Sequence, residues 1–340
     1  MGDRKKDRTF LAAVDIGGTK VTASISGEGG ILAKVYQPVE KRGDNRAIPR
    51  QVDSLIDLLC GRVGIGKDEI AGLGVSTCSP FELKGGSHVV VAPNLAGGLA
   101  GERQNGPPND WMEIPLEEER GKIYRGLRVG NDCVTAVVAE RLFGAGRGED
   151  NLVYVTWSTG IGAGAYVDGR LIKGKNGNAP HLGHIYVAED GPQCGCGNFG
   201  DLESLSSGTA MARDYGGGLS AREVFERCRG GDSRARSVIE RAARNFARGL
   251  ASINAILDTR VFVLGGSIMN DHDILLPLVR EEFHKSFPAL SRGVEIRRSA
   301  LDRYLGDIAA LSLVMPGEWV AEWQRSEPWK RAPEAERLQR

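Results

Sequence analysis

Apolar and polar residues follow two rhythms along the chain, and the switches between them outline its elements. Residues 10–16, FLAAVDI, form an apolar run. After a Gly turn KVTASISG alternates, and ILAKVYQPV follows. Short runs of this kind bounded by glycines read as strands, so the opening predicts a hairpin closed by Asp-Ile-Gly-Gly-Thr. From about Asn45 to Val63 the period lengthens: Val52, Leu55, Ile56, Leu59 and Val63 recur at helical spacing. AGLGVSTCSP (71–80) reads as a buried strand and VVVAPN (89–94) as a short one. LRVGND (127–132) is a strand entering a helix, CVTAVVAERLFGAG, that glycines end. LVYVTWSTGIGAGAYVDGRLI (152–172) then repeats the opening theme. Residues 233–258 form the clearest helix, with Ile239, Ala243, Phe246, Leu250, Ile253 and Leu257 along one face. VFVLGGSI (261–268) is a buried strand ending in two glycines, and a helix follows from about His272.

Two halves that each open with strand, Gly turn and strand imply an internal duplication, without the short fixed period of a repeat array. Residues 95–110, LAGGLAGERQNGPPND, read as an irregular surface insertion. The tail after Met315 carries Trp319, Trp323 and Trp329 among charges and prolines. Partial disorder and a clamp on the body or on a partner subunit are both open for it. The expected division is an N-terminal α/β lobe over 1–132, a C-terminal α/β lobe over 133–314 and the polar tail over 315–340.

Composition narrows the function. The chain has 340 residues, which favours two lobes, and 41% apolar with 26% charged residues suit a globular protein with a core. Lys plus Arg equals Asp plus Glu, 44 each, so no bulk charge attracts a nucleic acid. No apolar run has membrane-spanning length and the charged start is unlike a signal peptide, so the cytoplasm is expected. Six cysteines are too sparse for a disulfide scaffold in a chain this long.

Three Gly-rich turns carry candidate chemistry. In the first, Asp15, Gly17, Gly18, Thr19 and Lys20 lie between two strands. Glycines admit a phosphate close to the backbone, the N–H groups and the Thr19 hydroxyl can donate to it, and Asp15 can hold magnesium. A tight hairpin turn is the plainer alternative. Ser158, Thr159, Gly160 and Gly162 occupy the matching place in the second half. Two such turns suggest a nucleotide held in a cleft between lobes. Gly265 and Gly266, after a buried strand, form a third turn against which a base or ribose could pack. Asn131 and Asp132 stand at a helix start, where one can cap and the other can take a proton from a substrate hydroxyl.

Taken in order, DIGGTK, STGIGAG, GND at a helix start and a GH–CxCG–LE block resemble the ROK family of sugar kinases and repressors, over about residues 10 to 314. The resemblance implies a two-lobed actin-like, ribonuclease H-like ATPase fold with duplicated βββαβαβα halves. It implies that the first two turns hold ATP phosphates with Mg2+ nearby, that Asp132 is the general base, and that Asn94, Asn131 and Glu203 bind sugar. It also implies a structural Zn2+ on His184, Cys194, Cys196 and a third cysteine, with His184 also touching the sugar.

Two positions depart from the family pattern. Asp201 stands where the third cysteine is expected; zinc accepts carboxylate oxygen, so His-Cys-Cys-Asp remains a usable ligand set. His181 stands where a sugar-binding Glu is expected. A neutral imidazole cannot accept two hydrogen bonds as a carboxylate does, so substrate choice is expected to differ. The reading is an ATP-dependent, glucokinase-like kinase of a hexose or sugar-like polyol. A cyclitol such as inositol, fructose or an N-acylhexosamine is an alternative to glucose, and a homodimer or homotetramer is expected. The rival classes are a ROK repressor and a non-catalytic sugar sensor. Only about a dozen residues precede the first turn, too few for a helix-turn-helix, and Asp132 argues against the sensor.

Overall fold

The computed structural model describes residues 9–97, 109–124 and 126–338. Most of the Gly/Pro-rich insertion lies outside these residues. The chain divides into two compact units. The first comprises Met1–Phe143, Lys175–Asn178 and Arg303–Arg340, and the second Gly144–Gly174 and Ala179–Asp302.

In the first unit, β1 (Phe10–Ile16), β2 (Lys20–Gly27) and β3 (Gly30–Pro38) form an antiparallel meander. After α1 (Ala47–Val63), β4 (Ile70–Thr77) pairs parallel with β1. A hairpin of β5 (Phe81–Lys84) and β6 (Ser87–Val90) and a short α2 (Leu116–Gly121) intervene before β7 (Leu127–Asn131), which pairs parallel with β4 and runs directly into α3 (Asp132–Phe143). In the second unit, β8 (Leu152–Trp157), β9 (Ile161–Val167) and β10 (Arg170–Leu171) are again antiparallel. The helices α4 (Leu202–Ser206), α5 (Gly208–Tyr215), α6 (Ala221–Arg229) and α7 (Ser233–Leu257) follow. Next come β11 (Val261–Gly265), α8 (His272–His284), α9 (Pro288–Ser291) and β12 (Glu295–Arg298). The chain then returns to the first unit with α10 (Leu305–Ser312), α11 (Gly317–Ser326) and β13 (Glu336–Arg337).

The strand orders make the duplication explicit. One sheet runs β3-β2-β1-β4-β7 with β13 added at its edge, and the other runs β10-β9-β8-β11-β12. Each has an antiparallel meander followed by two parallel additions, which the alternating βαβ pattern requires.

Each sheet has its own core. On one face of the first sheet Ala12, Val14, Ile16 and Val75 bury α1 through Val52, Leu55, Ile56 and Leu59. The other face carries small or polar residues: Ala13 pairs with Gly74 and Asp15 with Ser76. Glycine is needed there, because a Cβ on Gly74 would stand 1.9 Å from the Ala310 carbonyl oxygen of α10. In the second unit α7 begins at an Asp232 N-cap and lays Ile239, Ala243, Phe246 and Leu250 on the sheet. Phe246 stacks on Trp157 with centroids 3.7 Å apart.

The division differs from the sequence-based one: Cys133–Phe143, Lys175–Asn178 and Arg303–Val314, expected in the C-terminal lobe, belong to the first unit. α3 stays with the first unit, because it packs with α10 on the same sheet. The tail is ordered and belongs to that unit too. Trp319, Trp323 and Trp329 are buried, the last two pack on Phe143, and Trp323 Nε1 donates to the Glu28 carbonyl at 2.8 Å. Apolar burial of three indoles outweighs the polar composition that suggested disorder. Among the described residues no helix is long and apolar enough to cross a membrane.

Candidate active site and metal centre

In the first unit the candidate groups collect at the carboxyl ends of parallel strands. β1 ends at Asp15 and Ile16, and the turn closes with Gly17 N donating to the Lys20 carbonyl at 2.9 Å. The exposed Asn94 stands against this turn, its Cβ 3.5 Å from where a Gly18 Cβ would be. Lys20 Nζ lies 5.9 Å from the centroid of the Tyr36 ring. β7 ends at Asn131, and Asp132 follows it as the first residue of α3, its Oδ1 accepting from Cys133 N at 2.8 Å. Asn131 Oδ1 accepts from the backbone N–H groups of Cys133 and Val134 at 3.0 Å, so Asn131 caps α3. Its Nδ2 donates to Asp132 Oδ1 at 2.9 Å and to Ser79 Oγ at 2.7 Å, which orients the carboxylate. Asp132 keeps solvent access, yet surrounding protein atoms raise its pKa by burial.

Asp15 has a pKa pushed up to about 6, first by burial, then by the charges of Asp132 and Asp307; Ser76 and Lys20 oppose the rise. Asp307 is a participant that the sequence reading missed. It sits in the first turn of α10, buried and paired with Lys34 of β3. Its one signal was a lone charge in an otherwise apolar helix, LGDIAALS. Gly306 beside it leaves only 3.0 Å between its Cβ position and Asp15 Oδ2.

The second unit holds the other two turns and the metal loop. Ser158 Oγ accepts from Ser267 N at 2.9 Å, which brings the turn of Gly265 and Gly266 onto the turn of Ser158, Thr159, Gly160 and Gly162. The start of α5 braces the same turn: Thr209 Oγ1 donates to the Thr159 carbonyl at 2.9 Å, and Gly208 N to that of Ser158 at 2.8 Å. Thr209 is a further residue not anticipated. Glu203 Oε2 accepts from Ile161 N at 2.8 Å, so the expected sugar carboxylate also steadies the Gly turn.

His184, Cys194, Cys196 and Asp201 converge, with their ligand atoms all within 4.8 Å of one another. The loop reaches this shape through tight crossings such as Gly200, whose φ is +65° and whose Cβ would strike the Ala188 carbonyl. His184 Nδ1 lies 3.1 Å from Asp201 Oδ2 and 3.9 Å from Cys194 Sγ, and Cys196 Sγ lies 3.4 Å from Asp201 Oδ2. Tetrahedral zinc with ordinary bond lengths separates N and O ligands by about 3.3 Å, and S from N or O by about 3.5 Å. The donor set fits the ion. Burial alone would raise the Asp201 carboxyl, but hydrogen bonds from His184 and the Ser204 N–H bring it down to about 2. The bond to Asp201 holds His184 up, while burial and then the His184 charge push His181 down, toward its neutral form. Its ring lies 5.6 Å from that of His184 and nearly parallel to it.

The ROK family model matches residues 11–297. The chain belongs to the ROK family. A glucokinase of Pyrobaculum calidifontis is 32% identical over 312 residues, covering 89% of this chain and 95% of that one. An N-acetylmannosamine kinase of Shigella flexneri is 31% identical over 264 residues, covering 76% and 83%. The crystal structure of a ROK family glucokinase from Streptomyces griseus, in complex with glucose and AMPPNP, superposes with a TM-score of 0.66 at 25% identity, covering 90% and 99%. Such relatives account for the actin-like ATPase fold of this ROK chain.

Proposed function

We propose that Asp132 is the general base of this ROK protein and that His181 sets its choice of sugar. The chain is an ATP-dependent sugar kinase. The observation that carries the catalytic reading is the Asn131–Asp132 pair: one residue caps α3, while the other presents an oriented, partly desolvated carboxylate. Burial raises its pKa, which makes it a better proton acceptor for an alcohol than an ordinary surface carboxylate.

In the reaction the sugar hydroxyl oxygen forms a bond to the γ-phosphorus of ATP as the bond to the β,γ-bridging oxygen breaks. ADP leaves, and the hydroxyl proton passes to Asp132. Little covalent work falls to the protein, so positioning and charge neutralisation dominate. Asn94, Asn131, His181, His184 and Glu203 would hold the sugar. The turns at Gly17–Gly18 and Ser158–Gly162, with Thr19 and Lys20, would take phosphate oxygens, and Gly265 with Gly266 the nucleoside end. Mg2+ on the ATP phosphates, with Asp15 nearby, would neutralise developing negative charge. One zinc per chain, on His184, Cys194, Cys196 and Asp201, would hold the loop that presents His184.

His181 in place of the family Glu is the ground for reading a substrate other than glucose; glucokinases and N-acetylmannosamine kinases both occur among the relatives. A panel of glucose, fructose, N-acylhexosamines and cyclitols, assayed for ADP release with ATP and Mg2+, tests the activity. ADP release with none of them would refute the kinase reading. Elemental analysis of protein purified without chelator tests the zinc.

A further inference from the structure

Asp201 is the one buried carboxylate of the metal loop, and its two oxygens have separate neighbours. Oδ2 faces His184 Nδ1 at 3.1 Å and Cys196 Sγ at 3.4 Å. Oδ1 accepts from the backbone N–H of Ser204 at 2.8 Å, and the Asp201 carbonyl accepts from Ser204 Oγ at 2.9 Å. Asp201 is therefore the N-cap of α4, with the extended backbone that caps adopt, and its side chain is fully buried.

From this we infer that Asp201 is a positioning residue with two tasks: Oδ2 is a metal ligand, while Oδ1 caps the helix that carries Glu203. The inference rests on the zinc site proposed above and deepens it. A cysteine at 201 could perform only the first task. Its single sulfur would serve the metal, and the Ser204 N–H would be left in a buried place without a strong acceptor. α4 spans only five residues, so its cap governs most of its length. Glu203 lies in the first turn of that helix. Its Oε2 holds Ile161 N at 2.8 Å, and its Oε1 lies 3.6 Å from Cys194 Sγ. Asp201 thus joins the metal loop to the carboxylate that steadies the second Gly turn. A carboxylate for thiolate exchange weakens zinc binding, since thiolates are its stronger ligands, and in return secures Glu203.

Two variants separate the tasks. Asp201→Asn keeps a capping oxygen of nearly the same shape but offers no charge to the metal. Asp201→Cys restores a strong ligand and removes the cap. Zinc affinity is measured with a chromophoric chelator as competitor, melting in excess chelator, and KM for the best sugar and for ATP at saturating zinc. Asp201→Asn is expected to bind zinc at least tenfold more weakly, to melt higher in chelator than Asp201→Cys because it keeps the cap, and to regain the wild-type sugar KM once zinc saturates it. Asp201→Cys is expected to bind zinc at least as tightly as the wild type. In chelator it should melt about 2–4 °C lower, as the loss of one cap implies for a unit of this size. Its sugar KM should stay raised several-fold even when loaded with zinc, with the ATP KM less affected. Wild-type zinc affinity in Asp201→Asn, or unchanged melting in Asp201→Cys, would overturn the division of tasks. Folded wild-type protein free of zinc would instead overturn the metal site itself, and absence of ADP release from the wild type would overturn the kinase reading while leaving both metal results to stand.

Discussion

The turn after β1 and the turn after β8 occupy the same place in the same strand order, yet their neighbours differ in kind. Behind the first turn stand carboxylates: Asp15 raised to about 6, with burial and the charges of Asp132 and Asp307 raising it and Ser76 and Lys20 opposing, while Lys34 pairs with Asp307. Behind the second stand hydroxyls and one carboxylate already engaged by backbone: Ser158, Thr209 and Glu203. A duplicated scaffold thus carries one charged and one largely neutral copy. Crowded carboxylates cost stability and are retained where chemistry uses them. The neutral copy suits a binding role, since neutral donors and backbone N–H groups hold phosphate without bringing another negative charge close to it.

The sharpest way to break this contrast is at Asp132. Asp132→Asn is expected to lower kcat by ~10²–10⁴-fold while sugar binding, measured by titration calorimetry, stays nearly intact. Stability should move the other way. Burial raises the folded-state pKa of Asp132 above its unfolded value, so its ionised form costs stability at pH values above both. Asn should therefore raise the melting temperature at pH 7–8, and the gain should vanish as the pH falls to about 4. Near-normal turnover would leave Asp132 as part of a helix start and nothing more.

Next in size is a test of whether the units are separate cooperative bodies. Trp323 anchors the tail in the first unit and Trp157 the core of the second; both are fully buried. Each change to Ala should cost ~3–5 kcal/mol. In differential scanning calorimetry Trp323→Ala should lower one transition and Trp157→Ala the other. Equal movement of a single transition would show one cooperative body.

The turns themselves can be compared through glycine. A Cβ on Gly160 would lie 2.5 Å from Glu203 Oε2, whereas one on Gly18 would meet Asn94 Cβ at 3.5 Å, an ordinary contact. Gly160→Ala should push Glu203 off Ile161 and lose a charge-assisted hydrogen bond, worth about 1.5–3 kcal/mol, or roughly tenfold or more in kcat/KM. Gly18→Ala should cost less. The reverse order would mean that the first turn, not the second, tolerates no side chain near its phosphate.

The smallest expected effect is a change of preference. His181→Glu should shift the kcat/KM ratio toward glucose several-fold, because a carboxylate accepts two charge-assisted hydrogen bonds where neutral imidazole accepts one. Wild-type protein that already prefers glucose, or a ratio that stays put, would reduce His181 to a neighbour of His184.

Periodicity and spacing carried much of this protein. The strand–turn–strand openings, the long α7, the Asn-Asp helix start and the ordered set of turns were all legible, because hydrophobic period and turn chemistry act over a few residues. The resemblance to the ROK family, not periodicity, pointed to His184, Cys194, Cys196 and Asp201, which lie together on one short loop. Other features depended on which distant segments become neighbours. Lys34 and Asp307 pair across 273 positions, and no local pattern announces that α10 will set a charge beside Asp15. The tail read as polar because its composition is polar; its tryptophans are buried only once folding brings them to groups such as Phe143. The family resemblance offered Asp201 as a candidate ligand, but the separate partners of its two oxygens emerged only where the loop folds onto the first turn of α4. Local rules decide elements. The assignment of each side-chain atom to a partner belongs to tertiary packing, because it depends on groups that the chain brings together only after those elements have formed.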